Sequence, residues 1–503
     1  MSIKSFAAKI FAKVVKAQID SWANNPLKAQ EKVFNQLIKQ AQHTQFGQDH
    51  QFSKIKNQQD FSNLVPVKDY EALKPYIERV KQGEQDILWP GRPIYFAKTS
   101  GTTSGAKYIP ITKESMPSHI KGARNAILSY INETGNSDFV NGKMIFLQGS
   151  PVLQEENGIK VGRLSGIVAH FVPRYLQKNR MPSWEVNCIE DWETKVEAII
   201  NETISADMRV FSGIPSWLQM YFERLQERTG KTITEIFPNF NLLIYGGVNF
   251  EPYRPKFESL IGKPINSIEL FPASEGFFAY QDSQNEKGML LRLDAGIYYE
   301  FIEADSFFEE NPERIGIADV ALGVNYVMII STNAGLWAYN LGDTVIFTSL
   351  KPYRVLVSGR IKHFTSAFGE HVIAKEVEEA LQQAVAKHRV EVSEFSVAPQ
   401  TNPETGLPYH EWFIEFNKQP DNLTTFAQSI DEALQNQNSY YQDLIQGKIL
   451  KTLVISPVVE NGFQRYMKAI DKLGGQNKLP RLTNDRLLAD KLYELKLLET
   501  NDE

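Results

Sequence analysis

Alternating strand-like and helical segments constrain the fold of this chain more than any other feature of its sequence. Short apolar runs typical of strands recur at 143–148, 209–212, 241–245, 267–271, 298–302 and 326–332. Helical patterns fall between many of these runs, which predicts parallel sheets with crossover helices. The closely spaced runs between residues 289 and 348 instead indicate an antiparallel barrel or meander. We therefore predict an α/β fold with mixed α/β sheets plus a small β-barrel.

Beyond Val357 the pattern changes, which indicates a second domain. Helical patterns at 374–387 and 423–435 alternate with strand-like runs at 394–398, 412–416 and 451–456. This βαββαβ-like order extends over about 140 residues, enough for a small α+β domain. The total length of 503 residues allows about two to four domains. We predict a large N-terminal domain over residues 1–358 and a smaller, mobile α+β domain over residues 359–503, with Gly359 as a hinge.

The overall charge and composition exclude several classes of protein. A net charge of −6 provides no bulk attraction to nucleic acid. Cys188 is the only cysteine, so an internal disulfide is impossible and a zinc site built on several thiolates is excluded. No run of about 18 apolar residues occurs, which excludes a transmembrane helix. We expect a monomer in the reducing cytoplasm, without nucleic-acid or membrane partners.

The first nineteen residues form a distinct basic and apolar segment. They contain no acidic residue, and four lysines alternate with isoleucine, phenylalanine and valine at helical spacing. A membrane-surface helix, a transit peptide and an ordinary amphipathic helix share this pattern. Because the segment lacks arginine, an apolar core region and a small-residue cleavage site, we expect an amphipathic helix that packs on the domain.

The stretch from residue 99 to residue 107 carries the strongest chemical signal. Five hydroxyl side chains and two glycines precede Lys107, directly after the strand-like residues 94–97. Glycine lets backbone N–H groups approach phosphate oxygens, hydroxyls donate hydrogen bonds, and lysine supplies a positive charge. Three residues separate the two glycines, so the stretch is not a Walker A motif. We interpret it as a phosphate-binding loop; a flexible surface loop rich in Ser and Thr is the alternative.

Shorter constellations follow at the ends of predicted strands. Ser274 and Glu275 follow shortly after the run 267–271, at the carboxyl end of a predicted strand, where α/β sheets place ligand groups. The carboxylate of Glu275 is suited to bind magnesium. The alternative for this pair is a helix N-cap serine with a first-turn acid. Asp343 follows Gly342 in a tight turn, where it either caps the turn or accepts ribose hydroxyls. Cys188 has no His or Asp motif around it, and we expect no catalytic role for it.

At these places the sequence resembles the adenylate-forming enzymes, a superfamily that includes acyl-CoA synthetases, luciferases and peptide-synthetase adenylation domains. The motifs are most similar to those of the auxin-responsive GH-three family of acyl acid amido synthetases, over nearly the whole chain. The matching segments are 65–66 with Tyr70, 76–79, 99–107, 245–247, 273–275, 341–343 and 476–481. Each motif is short, but the ordered set is specific.

The resemblance implies a role for each residue at a matching position. The residues that would wrap the β and γ phosphates of ATP are Ser100, Gly101, Thr102, Thr103, Ser104, Gly105 and Lys107. The residues that would form walls around the adenine are Gly246, Gly247, Phe271, Pro272 and Ala273. Ser274 would touch the α phosphate, Glu275 would bind Mg²⁺, and Asp343 would hold the ribose with Arg360 nearby. Lys478 would reach the α phosphate and the substrate carboxylate, so that Lys478 and Lys107 are the expected catalytic residues.

The resemblance also implies the reaction. A small carboxylic acid would be activated as acyl-AMP with release of pyrophosphate, and the amine of an amino acid would then take the acyl group to give an amide and AMP. The phosphate loop lacks the Pro-Lys ending common in acyl-CoA synthetases, which favours the amido synthetases. Lys362 stands where many relatives have an acidic hinge residue. An acid–CoA ligase with the same first step, and a nucleotide-binding protein without catalysis, are the alternatives.

Overall fold

The computed structural model describes most of the chain. The described residues are 2–100, 106–172, 177–247, 250, 254–361, 364–365, 372–400, 403, 405–446, 450–474, 478–483 and 485–499. The chain divides into two compact units. Unit 1 comprises Met1–Phe250 and Glu258–Val357, and unit 2 comprises Glu251–Phe257 and Ser358–Glu503.

Helices account for much of the first 80 residues and connect many of the later strands. In chain order they are α1 (Ile3–Ala23), α2 (Pro26–Ala41), α3 (Gln45–Asp49), α4 (Gln58–Leu64), α5 (Tyr70–Lys81), α6 (Met116–Thr134), α7 (Leu164–Ala169), α8 (Trp184–Asn187), α9 (Trp192–Thr203), α10 (Pro215–Thr229), α11 (Ile233–Ile236), α12 (Arg254–Ile261), α13 (Ala374–His388), α14 (Leu423–Gln437), α15 (Ser439–Gln446), α16 (Gly462–Ala469) and α17 (Leu487–Glu494). Within the described residues, no helix combines the length and the apolar character needed to cross a membrane.

Local sequence explains where the helices nearest the candidate site begin and end. The side chain of Asp69 accepts a hydrogen bond from the backbone N–H of Ala72 and so caps α5. Basic residues in the last turn of α5 complement the negative end of the helix dipole. α6 ends at Gly135, whose φ of +68° is the left-handed conformation that favours glycine.

Strands form one large sheet and three small ones. In chain order they are β1 (Tyr95–Ser100), β2 (Ala106–Ile111), β3 (Lys143–Phe146), β4 (Gln154–Glu156), β5 (Ile159–Gly162), β6 (Arg180–Met181), β7 (Met208–Gly213), β8 (Leu242–Gly246), β9 (Asn266–Ala273), β10 (Gly276–Tyr280), β11 (Met289–Leu291), β12 (Ile297–Glu303), β13 (Ile315–Gly316), β14 (Asn325–Thr332), β15 (Tyr339–Leu350), β16 (Tyr353–Arg360), β17 (Phe364–Thr365), β18 (Val372–Ile373), β19 (Glu391–Gln400), β20 (Tyr409–Lys418) and β21 (Val454–Val458).

The large sheet has twelve strands in the order β13-β12-β14-β15-β16-β11-β10-β9-β8-β7-β3-β6. At one end of this order, β6, β3, β7, β8 and β9 pair in parallel with their neighbours, as the alternating pattern predicts. From β9 through β10 and β11 to β16 the pairing is antiparallel, and β15, β14, β12 and β13 are also joined antiparallel. The mixed α/β fold class is thereby confirmed.

The predicted small β-barrel is not confirmed. The strands between residues 289 and 348 extend the twelve-stranded sheet, because β11 pairs with β10 on one side and with β16 on the other. A separate sheet of four strands has the order β2-β1-β5-β4. Its β2 strand stands where the sequence predicted only a loop before the following helix.

The buried core of unit 1 includes a layer of helices against the middle of the large sheet. Ala12, Val15 and Ile19 of α1 pack together with α6 and with apolar side chains of β7–β11. The N-terminal segment is therefore a helix packed on the domain, as the sequence predicted.

Unit 2 is built on the three-stranded sheet β19-β20-β21. β19 and β20 are antiparallel, and β20 and β21 are parallel. One apolar cluster joins the sheet to α13 and α14, and a second joins it to α16 and α17. Successive side chains of β20 point to opposite faces of the sheet, so Trp412 belongs to the first cluster and Phe413 to the second.

Candidate active site

The predicted phosphate loop connects the two strands of a hairpin. β1 and β2 are antiparallel, with Ser100 opposite Ala106 and Thr99 opposite Lys107. Residues Gly101, Thr102, Thr103, Ser104 and Gly105 lie outside the described residues, whereas both strands that carry them are described. The hairpin therefore fixes the two ends of the loop next to each other.

Tyr70 supports the second strand of this hairpin. Its buried hydroxyl accepts a hydrogen bond of 2.9 Å from the backbone N–H of Tyr108. The Nζ atom of Lys107 lies 5.6 Å from the centre of the Tyr70 ring, within range of a cation–π interaction. In the sequence, Tyr70 stands out only as part of a matching motif, and the structure shows its contact with the second strand of the hairpin.

The residues predicted to surround adenine come together at the carboxyl edge of the parallel strands. Gly246 ends β8 and pairs with Leu270 of β9, directly before Phe271, Pro272 and Ala273. A Cβ atom on Gly246 would lie 2.3 Å from the Leu270 carbonyl oxygen, so this close strand approach requires glycine. The next residue, Gly247, has a φ of +87°. The carboxyl edge of a parallel sheet is where α/β folds bind ligands.

Ser274 and Glu275 form the turn between β9 and β10. Ala273 pairs with Gly276 across this tight hairpin, so the helix N-cap alternative for the pair is wrong. Ser274 is buried and Glu275 is half-buried. The turn thus carries a hydroxyl and a carboxylate directly after Phe271, Pro272 and Ala273, which are predicted to surround adenine.

Helix α6 buttresses this turn from the side. Arg292 Nη1 donates to the carbonyl oxygens of Ser118 at 2.9 Å and Phe277 at 3.3 Å. It thereby connects the first turns of α6 to the strand that follows Glu275. Burial, together with the positive charge of Arg292, lowers the pKa of His119, on the same helix, to about 4, so the imidazole is neutral at pH 7. No sequence motif pointed to Arg292 or to His119.

Asp343 lies on β15, not in the tight turn that the sequence predicted, at an irregularity in the pairing of β15 with β14. Asn340 and Thr344 both have register partners on β14, but the pairing shifts between them. Gly342 has a φ of +86°, and its N–H donates to the Asn340 side chain at 2.9 Å. Asp343 is buried. Arg360, the other predicted ribose residue, ends β16.

Lys478 lies in unit 2, on an exposed segment fixed at its carboxyl side. The Pro480 carbonyl accepts a 2.7 Å hydrogen bond from Ser396 Oγ. Val397 N–H donates to the Arg481 carbonyl, and Thr483 N–H donates to the Val397 carbonyl. The segment therefore adds along β19 directly after the lysine.

Arg481 anchors the same segment through its side chain. Its guanidinium pairs with Glu378 at 3.5 Å and with Glu394, and it also donates to the Phe395 carbonyl at 3.1 Å. The guanidinium carbon lies 4.7 Å from the centre of the Phe395 ring. In the sequence, Arg481 ends a matching motif, which does not reveal these contacts.

The acidic groups fit a Mg²⁺ ion that is held mainly by substrate. Among the described residues, no three His, Cys, Asp or Glu side chains cluster as a metal site. Mg²⁺ is commonly bound by one or two carboxylates together with substrate phosphates. The half-buried Glu275 carboxylate, beside the buried Ser274 hydroxyl, is a donor of that kind.

The fold defines the class of protein. The structure is similar to that of a 2-hydroxyisobutyryl-CoA ligase, with a TM-score of 0.56 and 13% sequence identity over 95% of this chain and 93% of that one. It is more similar to the structure of the GH3.15 acyl acid amido synthetase, with a TM-score of 0.81 and 15% identity over 96% of each chain. The chain thus has the fold of the adenylate-forming enzymes.

Family models identify the family within this class. The GH3 family N-terminal domain matches residues 15–187 and 177–265, the central domain matches 290–360, and the C-terminal domain matches 375–487. The chain belongs to the GH3 family, which confirms the predicted family. One relative is the jasmonoyl–L-amino acid synthetase JAR4 of Nicotiana attenuata, 23% identical over 63% of this chain. That alignment spans 66% of the relative, just under two thirds of its length.

Proposed function

We propose that this protein is an ATP-dependent acyl acid amido synthetase. It activates a small carboxylic acid as acyl-AMP with release of pyrophosphate, and then transfers the acyl group to the amine of an amino acid, giving an amide and AMP. The observation that carries the proposal is the match of the three GH3 domain models in order along the chain. The name of one relative, the jasmonoyl–L-amino acid synthetase JAR4, supports the same reaction.

The roles that we propose for individual residues follow their positions. The hairpin loop over residues 100–105, with Lys107, binds the β and γ phosphates. Gly246, Gly247 and residues 271–273 surround the adenine at the sheet edge, where the strand pairing holds them side by side. Asp343 and Arg360 bind the ribose. We assign residues 1–358 to ATP and acyl-acid binding, and residues 359–503 to a mobile cap that carries Lys478.

The chemistry of activation requires that negative charge be screened. The attacking carboxylate and the triphosphate repel each other. The amine of Lys478 and the hydroxyl of Ser274 stabilise the charge that develops at the α phosphate, and the amine of Lys107 screens the β and γ phosphates. Glu275 would hold Mg²⁺, which supplies further positive charge to the phosphates when bound. A free amine then attacks the acyl carbon and AMP leaves. The sole thiol, Cys188, takes no part in this scheme.

The location and assembly of the enzyme are also proposals. A single cysteine in 503 residues suits the reducing cytoplasm. We propose that the enzyme works there as a monomer.

The first experiment identifies the products. The protein is incubated with ATP, Mg²⁺, a pool of carboxylic acids, and either mixed amino acids or CoA, and every product is identified by mass. AMP, pyrophosphate and an acyl-amino acid are expected. An acyl-CoA would support the acid–CoA ligase instead, and ADP with phosphate would contradict an adenylate intermediate.

A lysine variant tests the catalytic assignment. Lys478→Ala lowers the rate of adenylation, measured by ATP–pyrophosphate exchange, by roughly 10²–10³ or more, the effect of losing one preorganised electrostatic group. Lys418→Ala, at an exposed lysine of the same unit, is the matched control and retains the exchange rate. Unchanged exchange in Lys478→Ala would remove this residue from the mechanism.

A further inference from the structure

Helix α1 has two apolar faces, and only one of them is covered in unit 1. Ala12, Val15 and Ile19 belong to the buried core. The other face carries large apolar side chains that remain exposed, namely Ile3 at 88%, Phe6 at 55%, Ile10 at 51% and Val14 at 51%. We call these four residues the outer row. A core-packing helix needs only one apolar face, so folding of unit 1 does not explain the outer row.

The outer row is continuous and straight. Its members lie three, four and four residues apart, which places them on one side of the helix. From Ile3 to Val14 the row extends over about 17 Å of helix axis. Phe11, which is also exposed, lies beside the row, and the Arg124 guanidinium is 5.7 Å from its ring. Exposed apolar residues scattered singly are ordinary, whereas these four are aligned along one side of a single helix.

Positive charge lies on both sides of the outer row. With about 100° of rotation per residue, Lys4 lies about 100° to one side of Ile3, and Lys13 lies about 80° to the other side. Lys4 and Lys13 are exposed, and Lys9 is half-exposed. The first acidic residue of the chain is Asp20, which pairs with Lys16. In a chain of net charge −6, the charged residues of α1 before Asp20 are thus all lysines, and Asp138, which contacts Ser5 at 3.4 Å, is an acidic neighbour near the start of the helix.

Contrary to the expectation from the sequence that the protein has no membrane partner, we propose that the outer row of α1 binds the surface of a membrane that contains anionic lipids. The apolar side chains enter the boundary between headgroups and acyl chains, while the lysine stems extend along the helix and place their ammonium groups among the phosphates. The helix lies flat on the membrane, with its core-packed face toward the protein. The proposal rests on exposure and charge and is independent of the proposed reaction.

A second copy of the chain fits this surface less well. A stable protein interface buries about 800 Å² on each partner. A stripe about 17 Å long and roughly one helix diameter, about 10 Å, wide offers only about a fifth of that area. The lysines beside the row need a negatively charged partner. Anionic lipids of a cytoplasmic leaflet supply that charge at high density.

The test is sedimentation of the full chain with vesicles. Phosphatidylcholine vesicles are compared with vesicles that contain 30 mol% phosphatidylserine in phosphatidylcholine, at low and at high salt. We expect binding to the anionic vesicles, at least tenfold weaker binding to the neutral ones, and loss of binding at high salt. No binding to the anionic vesicles, or equal binding to both kinds, would overturn the proposal.

Two sets of variants separate the apolar row from the charges. Phe6→Ser with Ile10→Ser, and the triple replacement of Lys4, Lys9 and Lys13 by Gln, should each weaken binding to anionic vesicles at least tenfold. The control replaces two exposed leucines outside the helix, Leu322→Ser with Leu487→Ser, and keeps wild-type binding. Circular dichroism checks that each variant is folded.

Two outcomes of the variant series contradict the proposal. Retention of vesicle binding by folded Phe6→Ser with Ile10→Ser would exclude the outer row as the binding surface. A dimer of the wild-type protein in size-exclusion chromatography that this double variant dissociates would assign the row to self-association instead.

Discussion

The segment that carries Lys478 depends on one arginine more than on any other side chain described around it. Arg481 pairs with Glu378 and Glu394, donates to the Phe395 carbonyl and packs over the Phe395 ring. Only 13% of its side chain is exposed, against 16% for Glu378 and 20% for Glu394. Replacement of Arg481 by Met therefore leaves two largely buried carboxylates without this partner.

The size of the effect follows from the burial of the pair. Breaking a fully buried ion pair from one side costs about 3–5 kcal/mol. Because all three side chains keep some contact with water, we expect a loss of about 2–3 kcal/mol in the stability of this region. The backbone hydrogen bonds to β19 remain, so the segment is loosened but not detached. If the poorer placement of Lys478 raises the activation free energy of adenylation by about 1.4–2.8 kcal/mol, adenylation slows by about 10- to 100-fold.

The assay is ATP–pyrophosphate exchange with saturation curves for ATP and for the acid. Arg481→Met should lower kcat by that factor with little change in the KM for ATP, because the loop that we propose to bind the phosphates connects two strands of unit 1. Arg481→Lys keeps a positive charge but lacks the planar guanidinium. Its kcat should lie between those of the wild type and of Arg481→Met. Arg465→Met, at an exposed arginine of α16, is the control. A folded Arg481→Met that keeps kcat within twofold would refute the idea that Arg481 positions Lys478.

Three further predictions concern unit 1. Gly122→Val should lower both the melting temperature and the rate of ATP–pyrophosphate exchange. Even a Cβ atom at this position would lie 2.3 Å from the ring of Phe277, which is two residues beyond Glu275. Thermal unfolding and the exchange assay on the same sample measure the two effects. Burial holds the pKa of His119 at about 4 against an ordinary 6.5, so below pH 6.5 the unfolded state takes up a proton that the folded state does not. Stability should therefore fall by about 2 kcal/mol between pH 7 and pH 5 relative to His119→Gln, and urea denaturation at both pH values that gives no difference would contradict this. Arg314→Met leaves the buried Glu300 carboxylate unpaired and lowers the free energy of unfolding by about 3–5 kcal/mol, whereas adding Glu300→Gln restores most of the loss in urea denaturation.

The sequence predicted the parallel half of the large sheet well and failed where the strands do not follow simple rules. β7, β8 and β9 are apolar runs separated by helices, which is the pattern of βαβ units. β2 was missed because Pro110 interrupts it. Proline is tolerated there since β2 is the edge strand of its sheet. β10 was missed because all of its residues are buried, so it shows no alternation that marks a strand.

The small β-barrel is not confirmed for a different reason. Alternating strands at close spacing predict antiparallel pairing but do not say which strand closes on which. In the structure β11 pairs with β10 and β16, so the run continues the sheet. Such pairing depends on contacts between residues far apart in sequence; Met289 and Val355 are one example.

The same distinction separates the parts of the candidate site that the sequence predicted from those that it did not. Ser274, Glu275 and Asp343 lie within short motifs, so their residue types and spacing were sufficient to single them out. The residues that support them act across long separations: Arg292 donates to the Ser118 carbonyl 174 positions away, and Arg481 pairs with Glu394, 87 positions away. A single sequence contains no local signal for such pairs.

This difference in support predicts where distant mutations matter most. Ser274 and Glu275 lie in a two-residue turn whose ends are fixed by strand pairing on both sides. Their backbone therefore depends on many hydrogen bonds that no single side-chain substitution removes. Lys478 is exposed, and the segment that follows it is held by a few hydrogen bonds and one guanidinium. Substitutions that act on catalysis from a distance should accordingly concentrate around Arg481 and its two glutamates rather than around the sheet edge.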